Sequence, residues 1–193
     1  MGDFMSTLIP TGSASGTGSM TLAAPVTNSN QTATLPDATG TVMVSGNMPA
    51  FFAYVSTNQT VSSNTNTKIA AASVLFDTHG FYSNTNYRFT PTIAGYYQIS
   101  GGVGPYGSGI PTRAFLSIYK NGGEWIRLQD IATNNTNSPQ YVDTISGSGL
   151  VYLNGSTDYV EIYGWTLVPS GTPQFQGNAN PFFTFISGVL VRN

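Results

Sequence analysis

From Phe51 onward the chain is cut at short intervals by Gly, Asn, Ser and Pro, and the stretches between carry apolar residues at every second position. No stretch sustains a helical period, so the pattern predicts short β-strands joined by turns, as in a sandwich or barrel. In "AFLSIYKNGGEWIRL", Ala114, Leu116 and Ile118 share one face, the chain turns at Asn121-Gly122, and Trp125 lies on the return strand. This is a hairpin signal. "GLVYLNGSTDYVEIYGW" reads in the same way, with a turn at Asn154-Gly155 and with Val160 and Ile162 on one face. In the last strand, "FFTFISGVLV", Phe183, Phe185 and Val189 alternate with Phe182, Ile186 and Leu190, so both faces are apolar. Either a second subunit covers one of those faces, or the strand is buried on both sides within one molecule.

Composition then limits the function. Charged residues make up 7% of the 193, against roughly 25% in ordinary soluble domains, while hydrophobic residues reach 40% and aromatics 12%. A core is affordable, but a nucleic-acid interface is not expected, because only six Lys plus Arg accompany a net charge of −2 and phosphate binding needs clustered cations. The absence of cysteine excludes disulfides and thiolate metal sites. "MGDFMSTLIPTGSASG" lacks a basic segment followed by a long apolar run, so no signal peptide is expected. Nor does any stretch approach the ~20 apolar residues of a membrane-spanning helix, so no membrane insertion is expected.

Catalytic constellations are equally sparse. Gly102, Gly104 and Gly107 follow the strand-like "YYQIS" at G-x-G-x-x-G spacing. A dinucleotide site needs a helix after that turn, whereas Pro105 and the strand-like "TRAFLSIYK" follow here, so the glycines read as a loop between strands. His79 is the only histidine. Asp158 and Glu161 stand at an odd offset along a strand, which sends them to opposite faces rather than pairing them for glycosidic chemistry. No enzyme, metal or cofactor is expected.

The segment Asp77 to Gly101 carries a resemblance. Asp77, Tyr82, Phe89, Gly95 and Tyr97 match a pattern of Asn or Asp, an aromatic, Phe, then Gly-x-Tyr. That pattern resembles the globular domain of the C1q and tumour-necrosis-factor (TNF) superfamily. "FFAYVS", "LSIYKNGG", "GLVYLNGSTDYVEI" and "FFTFISGVLV" fall in the family's order. Ala71, Ile99 and Gly101 stand where the family has aromatics. The resemblance implies an all-β, ten-stranded jelly roll over residues 49–193, forming a homotrimer without catalytic machinery.

Residues 1–48 form a second region, with Phe4 as its only aromatic and with Gly, Ser, Thr, Ala and Asn dominant. Alone, it buries too little apolar area to offset chain entropy. "GTGSMTLAAPVTNSNQTATLPDATGTVMVSG" is similar to low-charge segments of tail-fibre and other virion proteins of tailed bacteriophages. An extended amino-terminal arm carrying a C1q-like head implies a short trimeric tail or head fibre. The chain would be made in the bacterial cytoplasm and reside in the virion. The alternatives are a capsid decoration or cement protein and, third, a carbohydrate-active enzyme.

Site residues follow from these readings. Phe4, Leu8 and Ile9 are the bulky apolar residues at the tip of the arm and would dock it on other virion proteins; a tip without fixed structure is the alternative. Tyr159, Tyr163 and Trp165, with Phe183, Phe185 and Val189, are the candidate trimer interface. Tyr106, Tyr141 and Phe175 sit in loops rich in Asn, Ser and Gly, whose chemistry suits a host-surface glycan or protein, although ordinary loops have the same composition.

Overall fold

The computed structural model describes residues 15–18, 21, 30, 46, 48–109, 111–132 and 144–193. Phe4, Leu8, Ile9 and Tyr141 lie outside them. Two units, Met1–Thr39 and Gly40–Asn193, make up the chain, and every strand among the described residues belongs to the second.

The strands are β1 (Ala50–Tyr54), β2 (Gln59–Thr60), β3 (Thr67–Lys68), β4 (Ser73–Asp77), β5 (Tyr82–Ser83), β6 (Arg88–Phe89) and β7 (Gly95–Val103). They continue with β8 (Pro105–Gly107), β9 (Arg113–Lys120), β10 (Gly123–Ala132), β11 (Ile145–Leu153), β12 (Val160–Leu167), β13 (Pro173–Phe175) and β14 (Phe185–Arg192). Sheet one runs β11-β7-β14-β1-β4 and sheet two runs β10-β9-β12-β6-β5, with β3 added on β12. All pairings are antiparallel. These two five-strand orders are the ten-stranded jelly roll that the sequence predicts, and β2-β13-β8 adds a small sheet.

Alternation decides which side chains meet between the sheets. Tyr97 and Ile99 of β7, Ile186 and Leu190 of β14, and Leu116 and Ile118 of β9 are all at most 2% exposed. The residues that carry the family resemblance converge in this layer. Phe51 stacks on Phe89 at 4.3 Å and on Tyr82 at 5.1 Å, and Phe89 meets Tyr97 edge-on at 5.3 Å. Each buried tyrosine hydroxyl donates to a carbonyl, Tyr82 to Ala71 and Tyr97 to Ile93, both at 2.8 Å. A buried phenol without a partner would be costly. Burial pushes the Tyr97 phenol up to about 12. Asp77 accepts from the Tyr82 backbone N–H at 2.7 Å, fixing the turn into β5.

Three expectations need correction. The first concerns "GGVGPYGSG", expected as a loop: its first residues end β7 and "PYG" is β8. Gly101 and Gly102 are there for close approach, because a Cβ on Gly101 would lie 2.9 Å from Ile162 Cδ1 and one on Gly102 would overlap the Phe185 ring. The space an aromatic at Gly101 would need is thus taken by Ile162 from the facing sheet. The second concerns Asn154-Gly155, which does not close a hairpin, since β11 pairs with β7 in sheet one while β12 pairs with β9, β6 and β3 in sheet two. Asn154 Oδ1 accepts from the N–H groups of Ser156, Thr157 and Asp158, each at 3.0 Å, and so turns a corner between sheets. The hairpin at Asn121-Gly122 does form, with φ of 53° and 81°, the left-handed pair that a two-residue turn demands. The third concerns Phe175, which is 0% exposed within β13, against Gly164, and so is not a surface recognition residue.

Candidate interaction faces

The outward side of sheet one is apolar. β14 is central in the sheet, yet Val189 is 40% exposed, so the chain itself buries only the Ile186 and Leu190 side. Register places Leu150, Gln98, Val189 and Ala50 in one row across the sheet. A second row holds Tyr152, Tyr96 and Arg192, with Tyr96 and Tyr152 edge-on at 5.2 Å. Towards the far edge, Phe52 stacks on Phe185 at 5.3 Å and tilts against Phe76 at 6.4 Å. Leu150, Tyr152, Phe76 and Tyr96 are each more than 40% exposed. A row of Ser148, Ser100 and Ser187 runs between these two apolar groups, and exposed apolar surface of this extent is the usual mark of an interaction surface.

The outward side of sheet two has different chemistry. Five of the six Lys and Arg residues, Lys68, Arg88, Arg113, Lys120 and Arg127, lie in its strands. All five are in ion pairs. Arg113 grips Asp130 with two hydrogen bonds, at 2.9 and 2.7 Å. Arg127 bridges Asp130 and Glu124, and Glu124 also accepts from the Ser117 hydroxyl at 2.8 Å. Lys68 and Arg88 close on Glu161, which is 2% exposed, and Lys120 pairs with Asp158. The two carboxylates considered as a catalytic pair are thus each neutralised separately.

Rings stand between these charges. Phe115 stacks on Trp165 at 4.9 Å and Tyr119 on Tyr163 at 3.9 Å. Arg127 lies over Phe115 at 3.8 Å and Arg88 over Tyr159 at 4.1 Å. Such cation–π contacts hold a guanidinium flat on the ring.

The charge network sets a pH dependence. The Arg113 hydrogen bonds hold the Asp130 carboxyl below its usual range. Desolvation pushes Glu124 up, but Ser117 and Arg127 outweigh it and the net direction is down. Asn121, then Lys120, lower Asp158. A carboxyl depressed in the folded state adds stability that is complete above its unfolded pKa and is lost as pH falls through the folded value. The melting temperature is therefore expected to fall below about pH 4, and Asp130→Asn should flatten that slope in a series of thermal melts.

The six residues expected at one trimer interface do not share a surface. Phe185 and Val189 are on the outward face of sheet one, whereas Tyr163 and Trp165 are on that of sheet two, with Tyr159 just ahead of β12. Phe183 precedes β14 and packs edge-on with Phe182. Tyr106 is half-buried in β8, opposite Gln174 of β13. Sequence reasoning missed Tyr96, Leu150 and Tyr152, although the signal was there: each alternates with a buried neighbour in "GYYQIS" or "GLVYL". Among the described residues no cluster of His, Asp or Glu is suited to hold a metal ion.

Two antiparallel sheets with this strand order and an aromatic layer between them define a TNF/C1q-like jelly roll. No family model matches the sequence, and no curated protein does. Solved structures do match in shape. Murine APRIL superimposes with a TM-score of 0.53 at 9% identity, over 75% of this chain and 99% of that one. The globular domain of zebrafish complement 1qA protein gives 0.45 at 15% identity, over 75% and 99%. Eiger TNF from S. frugiperda gives 0.48 at 12%, over 76% and 92%. At 9% identity the likeness to APRIL is one of fold.

Proposed function

We propose that this chain is a non-enzymatic structural protein of a bacteriophage virion, a short homotrimeric fibre whose jelly-roll head binds the host surface. The observation that carries the assembly is the apolar outward face of sheet one, which one copy leaves open and further copies of the same chain would cover. The virion assignment rests on the resemblance of residues 1–48 to tail-fibre segments. The two features support each other physically. Trimerising heads hold three arms at high local concentration, so arm-to-arm pairing no longer bears the full cost of association.

The reading is tested in two parts. Sedimentation of the purified full chain at micromolar concentration is expected to give a trimer, and a stable monomer would overturn it. Removing residues 1–10 is expected to leave a folded trimer that no longer joins particles, because Phe4, Leu8 and Ile9 go with the tip. Normal incorporation into virions would refute the docking role.

A further inference from the structure

We propose that the outward face of sheet two is a binding platform for uncharged polysaccharide, centred on Trp165 and bordered by Arg113, Arg127, Asp130 and Glu124. This deepens the host-recognition reading and rests on it, but it moves recognition from the loops to a strand surface.

The first observation is how the charge is distributed. A chain with 7% charged residues places five of its six cations in one sheet, interleaved with stacked rings. Stability is a weak reason for the exposed part of that arrangement, Arg113 and Arg127 with Glu124 and Asp130, because exposed ion pairs contribute only about 0–1 kcal/mol each. The second observation is the balance. Four cations, Lys68, Arg88, Arg113 and Arg127, meet three carboxylates, Glu124, Asp130 and Glu161, so the face is nearly neutral, while Lys120 falls in step with the inward Leu116 and Ile118 and turns to Asp158 and the Tyr152 carbonyl. A polyanion or polycation would find no field to draw it in. A polyhydroxylated, uncharged ligand fits better, since each sugar hydroxyl both donates and accepts.

The third observation is preorganisation. Arg113 is 48% exposed while Asp130 fixes its guanidinium plane through two hydrogen bonds. Arg127 is 39% exposed and locked between Glu124 and Asp130. The unused N–H groups and carboxylate lone pairs are thereby aimed before any ligand arrives, which lowers the entropy cost of binding. Trp165 supplies a half-buried ring stacked on Phe115 at 4.9 Å, with the Arg113 guanidinium 5.9 Å from its centre, so ring and guanidinium would meet a sugar together. Its apolar surface suits the C–H face of a pyranose.

The test uses the full chain in its native assembly, run through native gels containing laminarin, dextran or galactomannan, with alginate and heparin as charged counterparts. Both tryptophans, Trp125 and Trp165, lie in strands of sheet two, so intrinsic fluorescence gives a second readout. At least one neutral polymer should retard the protein and shift its emission, with little sensitivity to salt. Trp165→Leu should weaken that binding about tenfold or more, the share of one central aromatic anchor. Arg113→Gln, which keeps the Phe115–Trp165 stack but removes the guanidinium lying 5.9 Å from the Trp165 ring centre, should weaken it as well; it carries the test if the first variant fails to fold. Retardation by none of the three neutral polymers overturns the proposal. So does salt-sensitive retardation by the polyanions alone, or binding that survives both substitutions. A chain that blocks adsorption to host cells yet binds no neutral polymer overturns the platform and leaves the recognition role standing. Binding to polymer without any effect on adsorption does the reverse.

Discussion

On the proposed trimer, Leu150→Asp is expected to give a folded monomer in sedimentation at micromolar concentration. Leu150 is 53% exposed in the single chain, so its own fold gains little from the side chain, and an aspartate there stays solvated in the monomer. In an assembly that covers the outward face of sheet one, the same carboxylate loses its water among Gln98, Val189 and Tyr152, with Arg192 and Tyr96 lining the same shallow pocket. Burying a carboxylate is expensive even beside one cation, because its remaining lone pairs lose their water. At about 2 kcal/mol per copy, three symmetry-related copies would cost about 6 kcal/mol, or roughly four decades in association. Phe185→Asp is a poorer probe, because Phe185 stacks on Phe52 at 5.3 Å and covers Gly102 within its own chain. Loss of trimer by that variant would mix folding with assembly. A stable Leu150→Asp trimer would show that another surface makes the contact.

That choice of probe shows what was legible in the sequence. Strand positions and inward faces could be read because alternation is local: Ala114, Leu116 and Ile118 point inward as their spacing requires. The Asn121-Gly122 hairpin could be read because its turn chemistry is local too. The Asn154-Gly155 corner could not. The same two residue types serve a hairpin or a sheet crossing, and what selects the crossing is the partner of β11, which is more than 40 residues away in β7. Which face each outward aromatic lies on could not be read, for a related reason. Phe185 and Trp165 are both outward aromatics, and only the long-range strand order puts them on opposite sides of the sandwich. The charge platform on sheet two was hidden in the same way, since Arg113, Asp130 and Arg127 meet only when β9 and β10 pair with two register shifts.

Phe89→Ala is expected to be the most damaging single substitution to the fold itself. Phe89 is 0% exposed and meets three rings, Phe51 at 4.3 Å, Tyr97 at 5.3 Å and Phe81 at 6.2 Å, while Phe51 in turn stacks on Tyr82. Removing a buried phenyl ring typically costs about 3–5 kcal/mol, the transfer term plus the cavity left behind. The site has little freedom to collapse, because its walls come from both sheets. Phe51 is held in the centre of sheet one by β14 and β4, and Tyr97 by β11 and β14, while the Tyr82 and Tyr97 hydroxyls are anchored to carbonyls. For a domain of this size, with about 2–4 °C lost per kcal/mol, the melting temperature should fall by roughly 10 °C. Phe182→Ala, at a ring 64% exposed, serves as the control and should change it by little. Both variants must be compared at one protomer concentration, because assembly adds to apparent stability by mass action. A Phe89→Ala melt within a degree or two of the parent would mean that the aromatic layer between the sheets is not what holds them together.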